Sequence, residues 1–136
     1  MSAEDGLAGV LESALCYDPE ERSEMHRFFG DVLGLRRVAG WESGTAYRVG
    51  PGVLLIFDRK RLADSDSPVS RHGTTGPGHV CLRAEGERYE GIRAHLKASG
   101  IEILHDHEWP GGGRSFYFND PAGNLLEVAD RDIWPG

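Results

Sequence analysis

Apolar and polar positions run along this chain in two successive rounds of the same order. Val10 to Tyr17 alternates, with Leu11 and Leu15 on one face and Glu12, Ala14 and Cys16 on the other, which predicts a strand. Asp18-Pro19 followed by Glu20 and Glu21 predicts a capped helix start, since the acids suit the positive end of the helix dipole. Met25, Phe28, Phe29, Val32 and Leu33 recur at helical spacing as a core stripe, and Gly34 stops it. Leu35 to Trp41, Thr45 to Val49 and Val53 to Asp58 follow as short strands, separated by Glu-Ser-Gly and Gly-Pro-Gly turns. Arg59 to Pro77 is too poor in apolar residues to pack and predicts a linker.

The second round repeats the order. Gly78 to Arg83 is a strand, Glu87 to Ser99 an amphipathic helix through Tyr89, Ile92 and Leu96, and Glu102 to Trp109 a strand. Arg114 to Asn119 and Leu125 to Ala129 then form a hairpin about the turn Asp120 to Asn124. The expected fold class is therefore α+β: two tandem βαβββ modules, 10–58 and 78–130, joined by the linker 59–77 in a single 1–136 domain, their mixed sheets forming a cupped cleft. The repetition lies in element order, not in sequence identity between the halves.

Composition narrows the function. With 22 acidic against 15 basic residues, the net charge of −7 argues against nucleic acid or an anionic membrane as partner and favours cationic ligands. The 19 glycines and 7 prolines suit many strands joined by turns. Cys16 and Cys81 are isolated thiols, giving neither a metal knuckle nor a disulfide framework. The opening Met-Ser-Ala-Glu-Asp-Gly has no basic flank and no apolar core of signal-peptide length, so a cytoplasmic location is expected.

Alternation in the last strand puts Leu125, Glu127 and Ala129 on one face and Leu126 and Val128 on the other. Glu127 thus enters a sheet face where a charge needs a partner, and a cation is the natural one. Glu12, His79 and Glu127 occupy cavity-facing places in the first strand of module one and the first and last strands of module two. If the modules pack about a pseudo-twofold axis, the three converge as an open facial site for a divalent ion such as Fe(II), Mn(II), Ni(II) or Zn(II). The plainer alternatives are a core histidine bonded to backbone and an edge-strand carboxylate.

These residues carry a resemblance. Leu11-Glu12-Ser13-Ala14-Leu15, Phe28 to Leu35, Gly78-His79-Val80-Cys81-Leu82 and Phe116 to Glu127 occur in an order that resembles the vicinal oxygen chelate superfamily, which includes glyoxalase I, bleomycin-resistance proteins and extradiol dioxygenases. The resemblance implies that His79 and Glu127 are metal ligands and that Glu12 is the ligand of the opening strand. The family's fourth position falls at Leu55, where glyoxalase I-like members carry Glu, so a three-ligand site is implied and methylglyoxal chemistry is disfavoured. Tyr117 stands ten residues before Glu127, where extradiol dioxygenases carry an active-site Tyr; the His that accompanies it there has only His105 and His107 as candidates, both set too far back in sequence.

The expectation is a metal-dependent lyase, isomerase or extradiol-type dioxygenase, with Glu12, Tyr117 and Glu127 catalytic and Phe57, Trp109 and Arg114 meeting a small substrate chelated through vicinal oxygens. The rival expectation is a metal-free protein that sequesters an antibiotic in the same cleft. Such units commonly pair, so a homodimer is expected.

Overall fold

A computed structural model describes Gly6, residues 9–69 and residues 72–135; Met1 to Asp5 of the N-terminal stretch and Ser70 and Arg71 of the segment before the second module lie outside them. The first round folds as β1 (Glu12–Tyr17), α1 (Arg22–His26), β2 (Arg36–Gly40), β3 (Gly44–Val49) and β4 (Gly52–Asp58). The Glu21 carboxylate accepts from the Asp18 N–H at 2.8 Å and closes the turn into α1. Beyond His26 the helix widens into a π turn over Arg27–Val32 and ends at Gly34, whose φ of 69° favours a residue without Cβ.

The second round gives β5 (His79–Arg83), α3 (Tyr89–Ala98), β6 (His105–Glu108), β7 (Arg114–Asn119) and β8 (Leu125–Ala129). Between the rounds, Arg59–Ala63 forms the short helix α2, where the sequence predicts only linker. Its cause is local: the buried Asp58 carboxylate accepts from the Lys60 and Arg61 N–H groups, both at 3.1 Å, and Leu62 buries itself beneath.

Each round makes one four-stranded mixed sheet. Sheet A has the order β1-β4-β3-β2 and sheet B the order β5-β8-β7-β6, and in each the first strand runs parallel to the last while the other pairings are antiparallel. One apolar core joins them: Leu15, Leu54 and Ile56 of sheet A share it with Phe116, Phe118 and Leu126 of sheet B and with the helix residues Phe29 and Leu96. Phe28 of the first round meets Phe118 of the second with ring centroids 6.2 Å apart.

The turn before β8 locks the modules in register. The Asp120 carboxylate accepts from the N–H groups of Ala122 and Asn124 and from the Asn124 side chain. Asn124 in turn donates to the Cys16 carbonyl of β1 at 3.2 Å and accepts from the Gly78 N–H at 2.8 Å. A single buried amide therefore ties the first strand of each module to the hairpin that carries Glu127. Among the described residues no helix is long and apolar enough to cross a membrane.

Candidate functional site

With one side of each sheet turned into the core, period-2 alternation leaves the other side of each open. On sheet B that open side carries His79 and Cys81 of β5, Glu127 of β8, Tyr117 of β7 and His105 of β6; Cys81 pairs with Glu127, Glu127 with Tyr117, and Tyr117 with His105. Four strands thus contribute to one transverse row of chemically active side chains.

The centre of that row is Glu127, only 5% exposed. The Nε2 of His79 stands 3.3 Å from its Oε1. The other imidazole nitrogen, Nδ1, lies 3.0 Å from the Leu125 carbonyl oxygen; a carbonyl only accepts, so Nδ1 carries the proton and Nε2 is left for a cation or a second proton. The second carboxylate oxygen of Glu127, Oε2, is buried with no hydrogen-bond partner. An orphaned buried anionic oxygen beside an imidazole lone pair is a place where a cation is favoured.

The neighbours keep their protons. Burial, followed by the Glu127 charge and its hydrogen bond, pushes the Tyr117 hydroxyl up to about 12. The same causes push the Cys81 thiol up to about 12. At neutral pH both groups stay protonated; the Cys81 thiol donates to the Leu82 carbonyl at 3.9 Å and is a poor nucleophile. His105, far from Tyr117 in sequence, is its direct cross-strand partner, with ring centroids 6.1 Å apart, and His107 and Trp109 extend the series at 5.7 and 4.5 Å. Sequence spacing missed this because the glycine loop 111–113 folds back and restores the register, Trp109 receiving and giving backbone bonds to Gly112 and Gly113.

The structure brings His79 and Glu127 together and leaves Glu12 elsewhere. Glu12 is exposed on the open side of sheet A, where it lines a cavity of about 620 Å³ with Trp41, Leu55 and Phe57. Among the described residues no three His, Cys, Asp or Glu side chains come close enough to share a metal ion. One chain therefore brings together two of the three expected donors, His79 and Glu127, and lacks the third, Glu12.

Of the three substrate-binding candidates, Phe57 lines the sheet A cavity. Trp109 donates from its indole to the Ser115 hydroxyl at 2.9 Å, at the far end of the sheet B row. Arg114 has the opposite parity and reaches the helix side, where it pairs with Glu90 at 2.6 Å and Asp130 at 3.5 Å and stacks 4.6 Å over the Tyr89 ring. Its guanidinium is already engaged. Asn124, whose amide sets the height of β8, is the positioning residue that sequence reasoning passed over, although its place in the Asn-Asp-Pro-Ala-Gly-Asn turn marks it.

A family model, Glyoxalase/Bleomycin resistance protein/Dioxygenase superfamily, matches residues 22–128. The chain belongs to this superfamily. Among solved structures it is similar to a lactoylglutathione lyase from Agrobacterium tumefaciens, 32% identical over 93% of this chain and 96% of that one, with a TM-score of 0.85. An integron cassette protein from V. cholerae (21% identity, 90% and 94% covered, TM-score 0.70) and a virulence protein from Salmonella typhimurium (20%, 90% and 96%, 0.70) share the fold. Comparison with curated proteins finds no match. Leu55, where the resemblance puts the family's fourth ligand position, lies on the floor of the sheet A cavity and not beside Glu127.

Proposed function

We propose that this superfamily member is a divalent-metal-dependent enzyme acting on a small substrate through vicinal oxygens, with His79 and Glu127 of one chain and Glu12 of a second copy as its ligands. The observation that carries the reading is the buried, unpartnered Oε2 of Glu127 next to an imidazole whose Nδ1–H is fixed on the Leu125 carbonyl. A second copy is invoked because Glu12 and His79 are both exposed on open sheet faces, and the Glu12 cavity is rimmed by exposed Leu11, Val38 and Val69, an apolar edge suited to a protein partner. A cytoplasmic location agrees with the sequence but rests on it alone.

The ion would supply Lewis acidity to the substrate oxygens. The chain's own contribution is a row of proton-bearing groups: Tyr117, held protonated, offers its hydroxyl to a substrate oxygen, with the His105 imidazole beside it. Isomerisation, lyase chemistry and oxygen insertion all remain compatible with this set.

The test is metal content. Protein purified without chelator should hold about one divalent ion per chain, and at a hundredfold excess over its dissociation constant that ion should add about 2.7 kcal/mol of stability. His79→Ala and Glu12→Ala should each abolish stoichiometric binding. Absence of bound metal, with no thermal shift on adding Mn(II), Ni(II), Fe(II) or Zn(II), refutes the proposal. The apolar character of the sheet A cavity favours a second reading, a metal-free antibiotic-sequestering protein; drug binding unchanged by EDTA and by His79→Ala would select it.

A further inference from the structure

The floor of the sheet A cavity is graded. Cross-strand pairing places Glu12, Val53 and Arg48 in one row, Ala14, Leu55, Ala46 and Ala39 in the next on that face, and Cys16, Phe57 and Gly44 in the third. Trp41 exchanges backbone hydrogen bonds with Gly44 just beyond. The floor thus runs from charged through small and apolar to aromatic. From Glu12 to Cys16 is four strand residues, about 13 Å at about 3.3 Å each.

The aromatic end is built rather than incidental. Trp41 stands edge-on to Phe57 with centroids 5.8 Å apart, and His72, from the segment after α2, meets Phe57 edge-on at 4.7 Å. A Cβ on Gly44 would lie 2.9 Å from both the Trp41 and Phe57 rings, so these rings reach their places only because residue 44 has no side chain. Trp41 keeps 45% of its surface exposed, leaving an aromatic face for a ligand to cover.

We propose that the substrate carries an aromatic group that lodges against Trp41, Phe57 and His72, with its polar, reacting end toward Glu12. This rests on the reading above that Glu12 belongs to the reactive end. The middle row sets the preference: a tripeptide conjugate such as a glutathione adduct carries carboxylates and an ammonium along its length, and would hold some of them over Leu55 and Ala46, whose own side chains offer neither a hydrogen bond nor a counter-charge. A flat hydrocarbon body over the same row loses only water. The substrate class is therefore an aromatic compound bearing oxygen substituents at one end, about 10–13 Å long by the row spacing.

The experiment is calorimetric titration of the whole protein, in EDTA, with 2-naphthol as the aromatic probe and glutathione as the polar comparator. Expected are saturable 2-naphthol binding and none by glutathione at equal concentration. Ala46→Phe, which fills the middle of the floor, should weaken 2-naphthol at least about tenfold, and Trp41→Ala, at a half-exposed rim position that folding tolerates, about fivefold. No 2-naphthol binding up to its solubility limit, affinity unchanged in Trp41→Ala, or tighter binding of glutathione overturns the proposal. Because the titration is metal-free, loss of the metal reading leaves this result standing, and failure here leaves the metal test untouched.

Discussion

The two modules share a topology and differ in the residues on equivalent positions of their open faces. Counting from the first strand of each, Glu12 corresponds to His79, Ala14 to Cys81, Leu55 to Glu127, Ala46 to Tyr117 and Ala39 to His105. Sheet A presents small and apolar groups in its middle row; sheet B presents a thiol, a carboxylate, a phenol and an imidazole. On their inward sides the sheets are alike, both packing aromatics and branched aliphatics into one core. The fold thus fixes where side chains point and leaves their chemistry free, so one sheet offers an apolar floor and the other a row of titratable side chains.

The comparison is broken most directly by exchanging its central pair. Leu55→Glu puts a carboxylate on a face whose neighbours are Ala14 and Ala46, none of which can donate to it. In EDTA this variant should lose about 3 kcal/mol or more of stability, read from the urea midpoint at unchanged slope. A loss below about 1 kcal/mol would mean that water reaches the floor of the cavity and that the two faces are less different than their residues suggest. The reciprocal change is the sharper test, because the two sheets predict opposite signs. Glu127→Leu removes the buried Oε2 that has no partner together with the Oε1 that faces the half-exposed His79, and should leave stability unchanged or raise it by about 1 kcal/mol, while stoichiometric metal uptake disappears. A destabilisation of several kcal/mol would show that Glu127 serves the fold instead of a ligand.

Much of this contrast was legible in the sequence. The alternation in Leu125 to Ala129 gives the parity of Glu127, and β7 and β8 fall on the predicted bounds, because hairpin strands with aromatics on one face have a single register that buries them. The pairing of His79 with Glu127 follows from two strands known to be neighbours once the fold class is given. What stayed hidden depends on contacts between distant segments. Glu12 has the right parity, but parity says nothing about which of two sheets a side chain will face across; that is decided by how the modules dock through Phe28, Phe118 and the Asn124 amide. His105 was discounted on spacing because a glycine loop was read as distance when it is a turn. Helix α2 escaped notice because a single capping aspartate, not an apolar period, makes it.

The inward faces supply the smallest expected effect, because each side of the core carries buried phenols. Burial raises the phenols of Tyr17 and Tyr47 on the sheet A side, and on the sheet B side raises Tyr89 to about 12 against the lowering influence of the Arg114 guanidinium. A phenol whose folded value lies above its unfolded value of 10.0 contributes stability that is fully present below pH 10 and is lost as pH rises toward the folded value. Stability should therefore be level up to about pH 8 and fall between about pH 9 and 12, the Cys81 thiol and Tyr117 phenol of the open face adding to the fall, measured as the urea midpoint against pH. Tyr89→Phe and Tyr17→Phe should each flatten part of that fall, and neither should alter metal content or 2-naphthol affinity, since both phenols point away from the open faces. If Tyr89→Phe changed either ligand's binding, the division between a shared inward core and two independent outward surfaces would fail, because a group on the core side would then be coupled to chemistry on the other.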